Sequence, residues 1–421
     1  MFTEVKDLIA FIETQRRNEK KESLDYMFSL CEIFGNPQTK SKFIHIGGTN
    51  GKGSTVTYVK SVLLAQGYHV GTYTSPYIVC FNERITLNDE YITDADILYY
   101  GNYILSYYPV LDALPIRHPS FFEFVTLLAF LYFADQKDLD VVVFEVGIGG
   151  KLDCTNVIFP LISAVTNVTF DHMNILGNTL EAIWDNKLGI VKAYTPFVTL
   201  RDEAHLTQIM NATSALHAPL TVVDKRDISS YQVDFTSTTF SYQDYENITL
   251  NLLGYYQIEN AIMAIEIIKL LQDILPVTKE AMVEGLGNAR WPGRLEVVSR
   301  TPLMILDGAH NIDAIHRLCE FISMVKKDHH IRLIFAVSSN KAKEQMIPQL
   351  EPLVEEMIFT HFMYKRSDEA LHLYDLSHHP NKKVMDDIDE IIAVCRKDLS
   401  TINIFCGSLF FVSELRRKII H

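Results

Sequence analysis

The residues with the clearest chemical potential form one run, Gly47-Gly48-Thr49-Asn50-Gly51-Lys52-Gly53-Ser54-Thr55. It follows the apolar stretch KFIHI (42–46) and precedes a segment of helical periodicity (53–66). Glycines let backbone N–H groups converge on phosphate oxygens with no Cβ in the way. A helix starting near Gly53 aims its positive end at the same anion. Lys52 adds a full charge for the β- and γ-phosphates of a nucleotide, and Ser54 or Thr55 can hold Mg2+. The strict spacing GxxxxGK[ST] is not met, because Ile46 stands where the first glycine belongs and Gly53 follows the lysine. The run is a variant phosphate loop. The plain alternative, a glycine turn with a solvated lysine, leaves the coincidence of strand, glycines, lysine and hydroxyl pair unexplained.

Other candidates sit at the ends of apolar runs. Glu145 closes VVVFE (141–145) and precedes Gly147-Ile148-Gly149-Gly150. A carboxylate at the carboxyl end of a parallel strand faces the crevice where such sheets bind ligands, and its oxygens suit Mg2+. The following glycines permit close backbone approach; the alternative is a glutamate on the rim of the sheet. Asp171 and His172 follow a second strand-like run, from which His172 could reach the same place as Glu145. Thr74-Ser75-Pro76 reads as a turn after the strand ending at Tyr73. On its own, Lys187 reads as an exposed helical lysine. Asp307-Gly308-Ala309-His310-Asn311 is a polar cluster after another strand, and Arg294 could make a charge-assisted contact with a phosphate.

The elements that must position these residues are legible as an alternation. Strands are expected at 42–46, 69–73, 141–146, 162–166 and 197–200, with helices at 53–66 and 121–136. Buried strands separated by helices mean βαβ units and a mostly parallel sheet covered by helices. Residues 229–253 alternate polar and apolar types, rich in Thr and Tyr, which points to antiparallel strands at a sheet edge. A helix at 257–272 follows. Pro292 and Gly293 punctuate ARWPGR (289–294), after which a fresh βα alternation begins, with strands at 303–306, 332–337, 356–360 and 401–406. The expected division is 1–293, a P-loop-type α/β domain, and 294–421, a smaller Rossmann-like α/β domain.

Composition narrows the classes. The chain has 421 residues, 48% of them apolar, and a formal charge of −14. That excludes a disordered protein and argues against wholesale nucleic-acid binding, which needs a basic footprint. The greasiest run, Phe124 to Ala134, is far short of the roughly 20 residues that span a bilayer. The N-terminal MFTEVKDLIAFIETQ lacks a signal-peptide core. The six cysteines are scattered with no CxxC pair, so neither a zinc knuckle nor a disulfide framework is suggested, and the cytoplasm is the expected compartment.

Taken in order, the motifs resemble the folylpolyglutamate synthase and dihydrofolate synthase family of the Mur ligases. The carriers are HIGGTNGKGST (45–55), YTSPYIVCFNERI (73–85), FEVGIGGKLDCTN (144–156), VTNVTFDHMNILG (165–177), KLGIVK (187–192), WPGRLE (291–296), DGAHN (307–311) and CGSLF (406–410). The resemblance implies ATP-dependent amide formation between the terminal carboxylate of a reduced folate, or of dihydropteroate, and L-glutamate. It implies that Gly48, Thr49, Asn50, Gly51, Lys52, Gly53, Ser54 and Thr55 hold ATP, with Asn260, Arg294 and Asp307. Ser75, Glu145 and His172 match Mg2+ ligands, and Lys187 matches a lysine carbamylated in many members. Phe81, Glu83 and Arg84 fall in the segment beside the pterin side of the cleft, and His310 and Ser408 near the incoming glutamate. Lys52, Glu145, His172 and Lys187 carry the catalytic expectation, in a monomer acting on small molecules without a nucleic-acid or membrane partner. Two departures stand out: Leu188 replaces the alanine of K-A-G-I, and Ile312 replaces the proline after DGAHN. A phosphotransferase or a nucleotide switch built on the same loop would leave DGAHN and CGSLF unexplained.

Overall fold

The computed structural model describes residues 1–15, 23–78, 80–114, 116–364 and 366–420. They form two compact units, one from residues 1–226 and 260–286, the other from 227–259 and 287–421. The chain therefore passes between units three times, at 226/227, 259/260 and 286/287, the last of these a few residues before the Pro292–Gly293 punctuation.

The first unit is built on eight strands: β1 (Phe43–Gly47), β2 (Val70–Tyr73), β3 (Ile85–Leu87), β4 (Glu90–Tyr91), β5 (Val141–Glu145), β6 (Ile162–Val165), β7 (Phe197–Leu200) and β8 (Leu220–Val223). Their order is β4-β3-β2-β5-β1-β6-β7-β8. The strands from β2 to β8 in this order are parallel, and β3 and β4 add an antiparallel edge. The central strands are buried on both faces, so they read in the sequence as unbroken Val, Ile and Phe. The β3–β4 turn uses Asn88 and Asp89, both with positive φ, as a tight two-residue hairpin requires.

The apolar run noted above is the helix Phe121–Ala134, buried nearly all round. Phe130 stacks on Phe144 of β5 with ring centroids 5.2 Å apart, and Phe43 of β1 meets Phe144 edge-on at 5.3 Å. Among the described residues no helix is long and apolar enough to cross a membrane. The helix Lys52–Ala65 packs on β1, β2 and β5. Its N-terminus is thereby fixed at the carboxyl ends of the central strands, where Glu145 and Ser75 also emerge.

The second unit has two sheets. Strands β9 (Ile228–Val233), β10 (Thr238–Tyr242) and β11 (Tyr245–Leu250) are antiparallel, as their alternation suggests. They do not extend the edge of another sheet, as expected from the sequence, but form a three-stranded sheet of their own. Alternation shows that a strand has one wet face; it does not name the neighbour. The other sheet contains β12 (Glu296–Arg300), β13 (Leu303–Leu306), β14 (Ile331–Phe335), β15 (Glu356–Phe359), β16 (Lys382–Val384) and β17 (Ile402–Cys406), in the order β12-β13-β17-β14-β15-β16. Only β12 is antiparallel. The last strand returns to the middle, between β13 and β14, which creates a topological switch point at the carboxyl ends of β13 and β17.

Candidate active site

In the first unit, β1 ends at Gly47 and the chain turns through Gly48-Thr49-Asn50-Gly51 into the helix Lys52–Ala65. Gly48 and Gly51 have φ of 141° and 83°. A Cβ at Gly48 would collide with the Thr166 hydroxyl, and one at Gly51 with the side-chain oxygen of Asn260. Glycine is needed at both positions for conformation and for space. The loop is pinned to the segment after β6. Thr49 N–H donates to the Asn167 carbonyl at 2.8 Å, Asn50 N–H to Asn167 Oδ1 at 2.9 Å, and Thr166 Oγ1 to the Asn50 carbonyl at 2.6 Å. The N-cap position is Gly51, which has no side chain of its own to cap the helix, and the positive end of the helix faces the loop. The Thr55 hydroxyl is buried and has no partner among the described residues.

Two ammonium groups converge on this loop. Lys52 Nζ donates to the carbonyls of Gly48 at 3.0 Å and Thr49 at 3.1 Å. Lys187 Nζ donates to the Gly48 carbonyl at 2.7 Å. Lys187 is only 3% exposed, contrary to its reading as a surface lysine. Its burial follows from close packing: a Cβ at Gly189 would strike the Lys151 backbone, and one at Gly150 would stand 2.8 Å from the Lys187 carbonyl. The helix Leu180–Leu188 thus sits directly on the glycine loop after Glu145. The close approach allowed by those glycines serves the protein's own helix. Burial, and next the charge of Lys52, push the Lys187 amine down to about 7.

Glu145 and Ser75 are brought together because β5 and β2 are parallel neighbours, with Phe144 opposite Tyr73. Ser75 N–H donates to Glu145 Oε2 at 3.0 Å. Glu145 is 4% exposed. His172 follows β6 in a left-handed conformation with φ 49°, and its backbone N–H donates to Asp171 Oδ1 at 2.9 Å. Its ring is exposed, on the same connection whose Asn167 and Thr169 hold the phosphate loop. Among the described residues no three His, Cys, Asp or Glu side chains form a metal cage. Ser75 and Glu145 instead offer a partial set of hard oxygen donors, which fits a cation that keeps its remaining positions for water and phosphate. The side chain of Asn260 lies against Gly51.

Phe81 and Arg84 lie on the connection from β2 to β3, within the short helix Phe81–Arg84. Arg84 is buried, with its guanidinium 5.0 Å from the Tyr77 ring, 5.2 Å from Phe121 and 5.8 Å from Phe81.

The sequence reading missed a buried support for the loop after β5. His45 Nε2 lies 2.8 Å from Thr155 Oγ1, which donates to Asp153 Oδ1 at 2.6 Å. The Thr155 hydrogen is thereby used, so Nε2–H of His45 is the donor. Burial, and next the charge of Lys192, push His45 down to about 3, so the ring is neutral. The other oxygen of Asp153 accepts Ile148 N–H at 2.9 Å, which fixes the turn beyond Glu145. The Asp-x-Thr pattern at 153–155 was the available local signal.

In the second unit, Arg294, Asp307, His310 and Ser408 gather at the carboxyl ends of β13 and β17. Asp307 accepts Leu295 N–H on one oxygen and Ala309 N–H on the other, both at 2.9 Å. Burial raises its carboxyl above the usual range, opposed by the charge of Arg294. Gly308 N–H donates to the Gly293 carbonyl at 2.8 Å, and a Cβ at Gly308 would stand 3.0 Å from Arg294 Nη1. His310 Nδ1–H donates to the Gly308 carbonyl at 2.8 Å. Ser408 Oγ accepts Phe410 N–H at 3.2 Å, at the start of the helix Leu409–Ile420.

Comparison with known proteins matches two domains along the chain. The Mur ligase middle domain matches residues 46–268, and the Mur ligase glutamate ligase domain matches residues 293–407. The dihydrofolate synthase/folylpolyglutamate synthase of Bacillus subtilis is 36% identical over 100% of both chains. The chain belongs to the folylpolyglutamate and dihydrofolate synthase family of Mur ligases. Among solved structures, the folylpolyglutamate synthase of Thermotoga maritima is 32% identical, with a TM-score of 0.86 over 99% of this chain and 96% of its own. A folylpolyglutamate synthase in complex with AMPPCP and folate is 30% identical, with a TM-score of 0.84 over 100% of both chains. The family's middle domain takes in the phosphate loop, Glu145 and Lys187; its glutamate ligase domain takes in Arg294, Asp307 and His310.

Proposed function

We infer that the chain is an ATP-dependent ligase that joins L-glutamate to the terminal carboxylate of a folate, releasing ADP and phosphate. The observation that carries this is the full-length relationship to folylpolyglutamate and dihydrofolate synthases in a chain whose phosphate loop is intact in geometry. Tetrahydrofolate is the proposed acceptor. A second activity on dihydropteroate is favoured by the double name of the Bacillus subtilis relative.

A carboxylate is inert towards an amine until its oxygen carries a leaving group. In the proposed sequence a folate carboxylate oxygen attacks the γ-phosphorus and ADP departs, leaving an acyl phosphate. The neutral amine of glutamate then attacks the acyl carbon, phosphate leaves with its bond electrons, and the nitrogen gives up a proton. Charge grows on the transferred phosphoryl oxygens, where Lys52, released from the loop carbonyls, and the helix N-terminus would neutralise it. Gly48, Thr49, Asn50, Gly51, Gly53, Ser54 and Thr55 line the phosphates in this reading, with Asn260 beside them. Ser75, Glu145 and His172 would hold Mg2+, which when bound neutralises phosphate charge. Phe81 and Arg84 are proposed contacts of the folate. In the second unit, Arg294 is proposed as a phosphate ligand, Asp307 as a nucleotide residue, and His310 and Ser408 as contacts of glutamate.

Lys187 is proposed as a carbamylated residue. Its Nζ would attack CO2 and lose a proton, giving an anionic carbamate, and an amine pushed down to about 7 supplies the required neutral form. The reading also implies a monomeric cytoplasmic enzyme without nucleic-acid or membrane partners; the charge of −14 supports the first of these exclusions.

The test is phosphate release from ATP with Mg2+, tetrahydrofolate and glutamate. Release that needs both co-substrates supports the ligase; transfer to folate without glutamate would replace it with a kinase. Dihydropteroate in place of tetrahydrofolate decides the second activity.

A further inference from the structure

The connection between β2 and β3, residues 74–84, carries Ser75 at one end and Phe81 and Arg84 at the other. Its ends are closed by Thr74 N–H donating to the Arg84 carbonyl at 2.9 Å. Among the described residues between them, 76–78 and 80 lie outside any helix or strand. Glu83 binds two of their amides. Its Oε2 accepts Ile78 N–H at 2.7 Å and its Oε1 accepts Cys80 N–H at 3.2 Å. One carboxylate thus folds the chain back on itself around the buried Ile78 and starts the short helix Phe81–Arg84.

That fold decides where the acceptor-side groups stand. Tyr77 and Phe81, on either side of the two clamped amides, have ring centroids 6.2 Å apart and both contact the Arg84 guanidinium. The Tyr77 hydroxyl donates to Glu13 Oε1 at 3.0 Å, tying the same turn to the helix Val5–Thr14. Ser75, at the other end, has its own hold through Glu145. The two carboxylates therefore divide the connection: Glu145 fixes the end beside the phosphates, and Glu83 shapes the stretch that presents Tyr77, Phe81 and Arg84.

We propose that Glu83 is a positioning residue for acceptor recognition, setting the placement of Tyr77, Ile78 and the stretch 80–84 without touching the reacting atoms. This rests on the folate-ligase reading for its substrate. A charge-assisted bond from a carboxylate to a backbone amide is among the stronger protein hydrogen bonds, and two of them close one turn. Losing both releases the aromatic and cationic groups together, a displacement that costs binding at the acceptor end first.

The experiment compares Glu83→Ala and Glu83→Gln with the wild-type full chain. Glu83→Ala is expected to raise KM for tetrahydrofolate about tenfold or more, with KM for ATP changed by less than about twofold. Glu83→Gln retains one acceptor oxygen and is expected to fall between. Hydrogen exchange is read in the same proteins: the Ile78 and Cys80 amides are expected to exchange faster in Glu83→Ala while the amides of β2 and β5 keep their protection. Equal shifts in both KM values, or unchanged exchange at Ile78 and Cys80, would overturn the proposal. A wild-type protein without folate-dependent turnover would defeat the ligase reading, and with it the acceptor role; unchanged exchange in a fully active enzyme would defeat the role of Glu83 alone.

Discussion

The ammonium of Lys187 donates to the Gly48 carbonyl at 2.7 Å, across a sequence separation of 139 residues. Lys52, the first residue of the helix after the loop, donates to the same oxygen, so one carbonyl is shared between two lysines. Burial first, and the charge of Lys52 second, drive the Lys187 amine down to about 7 from 10.5. Between those values the unfolded chain binds more protons than the folded one at this site. The slope of unfolding free energy with pH is then positive, and stability contributed by this group rises from about pH 7 upward. Relative to Lys187→Met, the wild-type protein should gain about 1 kcal/mol of stability per pH unit between pH 7 and 9, read by urea unfolding in CO2-free buffer. A parallel pair of curves would show that Lys187 is not driven down.

The same near-neutral amine is expected to take up CO2. Protein equilibrated with 13C-bicarbonate at pH 8 should show a carbamate carbon signal by NMR that is missing in Lys187→Met. A spectrum identical for both proteins would remove the carbamate from the mechanism.

Lys52→Ala and Glu145→Ala should each lower the rate of ADP formation a hundredfold or more, a loss of about 3 kcal/mol of transition-state stabilisation. Lys52 is on a helix surface facing the loop and Glu145 at a strand end, so circular dichroism spectra should match the wild type. Near-normal turnover in either variant would contradict the assignment of this site.

Thr155→Val should weaken the protein without removing the phosphate loop. The buried His45 Nε2–H would lose its acceptor and Asp153 one of its donors, a cost of about 1–3 kcal/mol. Thr155→Ser keeps the hydroxyl and should stay closer to the wild type in the midpoint of urea unfolding. Equal midpoints for valine and serine would show that the hydroxyl is not what the buried histidine depends on.

Much of this architecture is legible from residue order. The strands β1, β2, β5, β6 and β7 declare themselves because burial on both faces demands unbroken apolar runs. The edge strands β4, β8, β12 and β16 do not, because short, half-wet strands such as Lys382–Val384 lack that pattern, and β3, next to the edge, is only three residues long. The phosphate loop is legible because its chemistry is local to Gly48–Thr55. Its supports are not: Asn167 reaches Asn50 over 117 residues and Thr155 reaches His45 over 110. Lys187 shows the same limit. Trp184-Asp185-Asn186-Lys187 looks solvated until Gly150 and Gly189 let two backbones touch and bury the lysine between them.

The small sheet β9–β11 belongs with residues far downstream of it. Phe235 packs on Phe321 at 5.8 Å, and Phe235 and Leu253 share a core with Leu295, Ile305 and Leu333. A chain severed after residue 293 would therefore strand that sheet without its greasy underside. Gene fusions or split-protein designs need breaks that leave 227–259 with its downstream companions.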